Sequence, residues 1–188
     1  MQNLNNTIYY IAGYEDASSC RDIVTQPSAL SKIEYVKSAI KQAGFKVYLF
    51  SSAEGNHNCR LKLSEIKFVD ENETVFYPIV IRRSNYLLKL ISRALLYIQI
   101  LFFVLYKLDK NSPLLIYHTL QLRPVIKLIR RIFNRRIYFE VEEIYNACYN
   151  RIEKIDQEIK YLKSAHGYIL VNDIIKKKCN FSQKSITC

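Results

Sequence analysis

Glycine and proline are scarce in this sequence, four of each among 188 residues, which leaves little material for the turn-dense build of many small all-β domains. Phosphate-loop signatures are missing as well. No Gly-x-Gly-x-x-Gly follows the first predicted strand, and no Walker loop, Gly-x-Ser-x-Gly elbow or His-Glu-x-x-His pair occurs. A dinucleotide dehydrogenase, a P-loop NTPase and a serine hydrolase are therefore disfavoured. The five cysteines (Cys20, Cys59, Cys148, Cys179, Cys188) are odd in number and contain no Cys-x-x-Cys pair, so neither a disulfide framework nor a zinc site is supported. Acidic residues are the minority charge. Asp+Glu 17 against Lys+Arg 28 leaves a net charge of +11, which points to an anionic partner such as nucleic acid or a membrane surface. No RNA-binding motif accompanies the basic runs, so nucleic acid is the weaker of the two. Residues 1–7 are polar and carry no cationic start followed by an apolar run, which reads as a cytoplasmic chain without a secretory signal.

What is present is core material: 49% of residues are hydrophobic, with Tyr 15 and Phe 9, enough to fill one domain. The pattern predicts a strand over 8–12 stopping at Gly13, and a polar loop over 15–26. A helix then opens at Pro27 and Ser28, with Leu30, Ile33, Val36 and Ile40 at helical spacing and Gly44 as its C-terminal cap. A second strand follows over 46–50. This is a βαβ unit with parallel strands. Leu61, Leu63, Ile66 and Phe68 approximate strand alternation, 70–72 offers a turn and 75–81 pairs back, so a hairpin or sheet-edge excursion is expected there.

The longest apolar segment spans 86–108, with Lys89 and Arg93 interrupting its first third and only 94–106 free of charge. A membrane span needs roughly 20 mostly apolar residues. The segment therefore reads as a buried helix flanked by basic residues, with one face available to lipid, ahead of a transmembrane helix. After Asn111-Ser112-Pro113 the chain alternates again: strands over 114–117, 136–141 and 167–171, helices over 122–133, 151–164 and from 173 onward. Strands alternating with helices predict an α/β fold, Rossmann-like and doubly wound, with a mostly parallel sheet covered on both faces.

Ligands of such sheets bind beyond the carboxyl ends of the strands. That rule selects Gly13, Ser18, Ser19 and Arg21 after the first strand, and Ser51 and Ser52 after the second; Ser28, at the helix start between them, is a further cleft candidate. Later it selects His118 and Thr119, then Glu142, Glu143 and Tyr145, and finally Asn172. His118 ends the run Leu-Leu-Ile-Tyr, where a neutral imidazole can hydrogen-bond a sugar hydroxyl or assist proton transfer, or can be a loop histidine satisfied by backbone. Glu142 and Glu143 can bind hydroxyls and orient His118, or can form salt bridges to the arginine-rich helix.

Two stretches resemble a known family. Gly13-Tyr14-Glu15-Asp16, Arg21-Asp22-Ile23, Pro27-Ser28-Ala29 and Lys32-Ile33-Glu34-Tyr35-Val36 look like the opening of bacterial family-four glycosyltransferases of the capsular or surface-polysaccharide type. Tyr138-Phe139-Glu140-Val141-Glu142-Glu143-Ile144-Tyr145, with Gly167-Tyr168-Ile169-Leu170-Val171-Asn172, is similar to the second half of the same N-terminal domain. The resemblance implies the N-terminal, acceptor-side half of a GT-B fold over 1–188, with the donor-binding C-terminal domain absent from the chain. It also implies retaining, metal-independent transfer from a nucleotide-sugar donor, with no cofactor, to a glycan or lipid-linked acceptor at the inner face of the cell membrane. On this reading His118, Glu142 and Glu143 are the catalytic candidates and the remaining residues line the acceptor cleft. A partner subunit or further chain supplies the second domain, and this chain alone, whether fragment, truncated product or half of a split enzyme, does not turn over. The family's paired glutamates, seven residues apart, are matched in count by Glu65 and Glu73, inside the predicted hairpin, and this match is read as chance. The competing class is a non-catalytic α/β module or membrane-associated partner subunit.

Overall fold

Residues 6–16, 21–109, 112–170, 173–179, 181 and 185–187 are described by the structure, a computed structural model. They form two compact units, Met1–Ser112 and Pro113–Cys188.

In the first unit, apolar residues of β1 (Thr7–Ala12) and β3 (Lys46–Ser51) pair in parallel from Thr7 against Lys46 to Ala12 against Ser51. Between them lie β2 (Ile23–Val24), inside the stretch expected to be loop, and α1 (Pro27–Gln42). Pro27 sits in the first turn of α1, where its missing N–H is no loss. The helix ends because Gly44 takes φ +83, which lets the Gly44 N–H reach Lys41 O at 2.9 Å and the Phe45 N–H reach Ile40 O at 3.2 Å. These two bonds satisfy carbonyls that the helix itself leaves open. Gly44→Ala is therefore expected to lower stability by about 1 kcal/mol through left-handed backbone strain. Gly13→Ala, with open space around its Cβ position and no left-handed φ, serves as the matched control in urea denaturation.

Three further strands complete this unit. β4 (Glu54–Gly55) pairs antiparallel with β2, and the expected hairpin is present as β5 (Glu65–Asp70) and β6 (Glu73–Tyr77), paired antiparallel with an irregularity between Phe68 and Asp70. β6 also runs parallel to β3. The hairpin's returning strand is thus part of the parallel sheet, and only β5 is the excursion.

Alternation along the strands separates the two helices of this unit. Tyr9, Tyr48, Phe50 and Phe76 meet Phe103 of α2 (Tyr86–Tyr106) with ring centroids 5.0–6.4 Å apart. Glu73, three residues before Phe76 and so on the other face, meets Lys37 and Lys41 of α1. Lys37 is 2% exposed; its Nζ lies 2.5 Å from Glu73 Oε1, donates to Tyr14 Oη at 3.0 Å and to Glu34 Oε1 at 2.9 Å, and stands 4.2 Å from the centre of the Tyr14 ring.

α2 departs from the expectation of a buried helix. Asn85 caps it, its side-chain oxygen accepting the Leu88 N–H at 2.8 Å, but only 28% of its most apolar window is buried. Ser92, Leu96, Ile100, Phe103 and Val104 face inward while much of the rest faces out. Its polar residues Lys89, Ser92, Arg93 and Gln99 fall on the inward side, so the more apolar side of this helix is the one that the sheet leaves uncovered.

The second unit runs β7 (Leu114–Tyr117), a 3₁₀ turn (Leu120–Leu122), α3 (Arg123–Phe133), β8 (Ile137–Val141), α4 (Tyr145–Cys148), α5 (Ile152–Leu162), β9 (Gly167–Leu170), α6 (Asp173–Cys179) and β10 (Ser185–Thr187). β7 pairs with β8, β8 with β9 and β9 with β10, every pair parallel. Arg123 of α3 lies 5.7 Å from the ring centre of Tyr161 of α5, so these two helices are neighbours over β8. Parallel strands alternating with helices make this the doubly wound, Rossmann-like α/β class that the sequence predicts.

Candidate functional site

β7 and β8 are buried along their length, and parallel pairing brings their carboxyl ends together: Tyr117 stands opposite Glu140, and the His118 N–H continues the ladder to Glu140 O at 2.8 Å. The residues after both strands therefore converge. His118, Glu142, Glu143 and Tyr145 meet there, with the His118 and Tyr145 rings 5.2 Å apart.

His118 is 2% exposed, enclosed by Phe139, Tyr145 and Tyr161. Its Nε2 lies 3.4 Å from Glu158 Oε1, and neither ring nitrogen completes a hydrogen bond of good geometry within the described structure. Burial pushes the imidazole down to about 4, against the opposing pull of the Glu143 backbone. The ring is neutral at pH 7. Its folded value lies below the ordinary 6.5, so its contribution to stability is full above 6.5 and is lost as pH falls towards 4. The loss is on the order of 3 kcal/mol. Urea midpoints of the wild type are expected to fall between pH 7 and pH 4.5, and those of His118→Asn to stay nearly flat over the same interval.

Glu158, a residue the sequence reading passed over, anchors the cluster. It is fully buried, and its two oxygens accept the Tyr145 N–H at 2.9 Å and the Asn146 N–H at 2.8 Å. These donors open α4, where helical N–H groups have no internal partner. A signal for Glu158 exists in the sequence. It lies three residues after Ile155 and four before Leu162, on the apolar stripe of an otherwise charged helix.

Buried Tyr117 and half-buried Glu142 and Tyr145 form the next layer. The Tyr117 hydroxyl hydrogen-bonds the Glu142 carboxylate and the Tyr145 hydroxyl; burial and then Glu142 hold Tyr117 well above the usual phenol range. Burial, followed by Glu143, pushes Tyr145 up to about 12. Both phenols stay protonated at neutral pH and can donate to a ligand oxygen. Glu143 is exposed and accepts from Cys148 Sγ at 3.3 Å; burial and Glu143 raise that thiol. Thr119 caps the 3₁₀ turn through the Gln121 N–H at 3.2 Å. Of the three catalytic candidates, Glu142 and Glu143 reach solvent while His118 lies behind them.

The remaining predicted residues fall in the first unit or outside the described residues. Ser18, Ser19 and Asn172 are outside them. Ser51 is 1% exposed and donates to Tyr14 O at 2.5 Å. Arg21 is buried and committed to the hairpin: its guanidinium donates to Glu65 Oε2 and Leu63 O, each at 2.7 Å, and to Pro78 O at 3.3 Å, over the Tyr77 ring. Gly13 and the exposed Ser28 keep open surroundings. Glu65 pairs in register with Tyr77 and Glu73 with Asp70, so the two glutamates stand at opposite ends of the hairpin and form no common site. Among the described residues no group of three His, Cys, Asp or Glu side chains could hold a metal ion.

No family model matches this sequence, and no curated protein matches it. Solved structures do match. An alpha,alpha-trehalose-phosphate synthase (UDP-forming) from Burkholderia vietnamiensis superposes with a TM-score of 0.55 at 13% identity, over 92% of this chain and 42% of its own. An alpha,alpha-trehalose 6-phosphate synthase from Burkholderia multivorans gives 0.56 at 11% identity, over 92% and 41%. An E. coli trehalose-6-phosphate structure bound with UDP-2-fluoro glucose gives 0.54 at 13%, over 93% and 42%. This chain spans about 42% of the length of such structures. At these identities the likeness establishes the fold alone, a Rossmann-like α/β fold with a mostly parallel sheet.

Proposed function

We propose that this chain is the acceptor-side, N-terminal part of a glycosyltransferase that moves a sugar from a nucleotide-sugar donor to a glycan or lipid-linked acceptor in surface-polysaccharide assembly. The observation that carries this reading is the Tyr117–Glu142–Tyr145 cluster at the carboxyl ends of β7 and β8. A carboxylate flanked by protonated phenols offers both acceptor and donors, the set that sugar hydroxyls require. In an open parallel sheet, this end is where ligands sit. The fold likeness to a UDP-forming trehalose-phosphate synthase, and to a structure bound with UDP-2-fluoro glucose, supports the nucleotide-sugar class. Glu142 receives the acceptor hydroxyl, Glu143 lies at the solvent edge, and neutral His118 fixes the layer from behind. The donor-binding half comes from further chain or a partner subunit, and the reaction takes place at the cytoplasmic face of the membrane without a metal.

Deleting the gene in its own cells tests this while leaving any partner in place. Incorporation of label from nucleotide-sugars into membrane glycan is expected to fall, to return with the wild-type gene, and to stay at least tenfold lower with Glu142→Ala. General acid–base groups contribute about 10²–10⁴-fold. Label incorporation and glycan composition unchanged by the deletion would overturn the reading.

A further inference from the structure

We infer that α2 is a membrane-docking element whose outward face lies flat in the headgroup region of an anionic bilayer. At 3.6 residues per turn, Leu87, Ile91, Ala94, Ile98, Phe102 and Leu105 fall on one line along the helix. All six are exposed, Leu87 by 65%, Ile98 by 50% and Phe102 by 55%. The line carries no charged or hydrogen-bonding side chain over the helix's 21 residues, a length of roughly 31 Å. A contiguous exposed apolar strip of this kind marks a candidate interaction surface.

The opposite side of the helix decides between lying on a bilayer and crossing it. Phe103 is inserted among Tyr9, Tyr48, Phe50 and Phe76 of the sheet, and Leu96 and Ile100 are buried beside it. Crossing the bilayer would pull these side chains off the sheet, whereas lying on it covers the exposed line and leaves the core intact.

Charge and shape decide between lipid and protein. Exposed Arg82 and Lys89 stand at one end of the helix and exposed Lys107 at the other, on a chain of net charge +11. By the same periodicity Lys89 and Lys107 fall on the side of the helix away from the strip, the arrangement of an in-plane helix with basic residues above its apolar face. Beside the strip an apolar cavity of about 250 Å³ is lined by Phe102 of the strip and by Tyr48, Phe76, Gln99, Phe103, Tyr106 and Lys107. It can admit the end of one acyl chain. The strip offers a protein partner no hydrogen-bonding group, and lipid needs none.

This surface does not depend on the sugar-transfer reading, and its test leaves that chemistry aside. The chain has no tryptophan, so Phe102→Trp supplies a single fluorescent reporter on the strip. With vesicles containing phosphatidylglycerol, its emission is expected to shift to the blue. The full-length chain should co-sediment with them in a salt-sensitive way, and should leave cell membranes on carbonate washing. Ile98→Asp with Phe102→Asp is expected to weaken sedimentation at least tenfold while the circular dichroism spectrum and thermal midpoint hold. Any of four results overturns the inference: no sedimentation of the wild type, no blue shift, equal binding by the double variant, or resistance to carbonate. A wild-type dimer that the double variant dissolves also overturns it, by assigning the strip to a second copy of the chain.

Discussion

Glu158→Ala is expected to lower folding stability by about 3–5 kcal/mol, a fall in thermal midpoint of roughly 10 °C for a chain of this size. The magnitude follows from what the side chain does in a place with no water. Both oxygens are inaccessible and each accepts a backbone N–H, from Tyr145 at 2.9 Å and Asn146 at 2.8 Å. Truncation orphans two donors at once, at about 1–3 kcal/mol each, and removes the carboxylate 3.4 Å from His118. Glu153 provides the comparison: same helix, first turn, exposed, so that Glu153→Ala should stay within about 0.5 kcal/mol. Urea denaturation of the pair measures the difference. If both variants unfold at the same midpoint, Glu158 is not the anchor of the loop that carries Glu142 and Tyr145.

The same residue shows where reading a sequence succeeds and where it stops. The βαβ openings were legible because each rests on local signals: apolar strand runs, Pro27 at a helix start, Gly44 at its end, Asn111-Ser112-Pro113 as a break. Convergence of the β7 and β8 ends was legible too, since parallel pairing follows from alternation alone. Glu158 was legible in principle, as the one acid on an apolar stripe. Arg21 was not. Its partners Leu63, Glu65 and Pro78 lie 42 to 57 residues away, and nothing near Arg21 distinguishes an arginine awaiting an anionic ligand from one already used by a hairpin. The exposed side of α2 was hidden for another reason: Lys89, Ser92, Arg93 and Gln99 fall on the side that the sheet covers, so the usual rule of burying the more apolar side gives the wrong phase, and the sheet's own aromatic face determines which side is covered.

The lysine and carboxylate group under α1 yields the other large effect. Glu73→Ala is expected to cost about 3–5 kcal/mol, whereas Lys41→Ala should cost less than about 1 kcal/mol. Glu73 and Lys37 each have side chains 2% exposed, with Glu73 Oε1 2.5 Å from Lys37 Nζ and Glu73 Oε2 2.6 Å from Lys41 Nζ. Removing the carboxylate leaves the Lys37 ammonium buried against Tyr14 and the half-exposed Glu34, while removing Lys41, 27% exposed, leaves the buried pair intact. Replacing both buried members, Glu73→Leu with Lys37→Met, should recover most of the loss, because two apolar groups need no partner. The pH dependence has two limbs. The hydrogen bond from Lys41 to Glu73 raises the Lys41 value, so its contribution is full below the ordinary 10.5 and is lost as pH rises through the folded value. Burial pushes Glu34 up, but hydrogen bonds from Tyr14 and Lys37 overcome it and hold the carboxyl below its ordinary 4.5, so its contribution is full above 4.5 and is lost on acidification. A double-mutant cycle on Lys37 and Glu73 at pH 7 measures the coupling within the buried pair itself. Strictly additive single effects at pH 7 would mean that the two charges are independently solvated, and that the buried bridge across this face of the sheet contributes nothing.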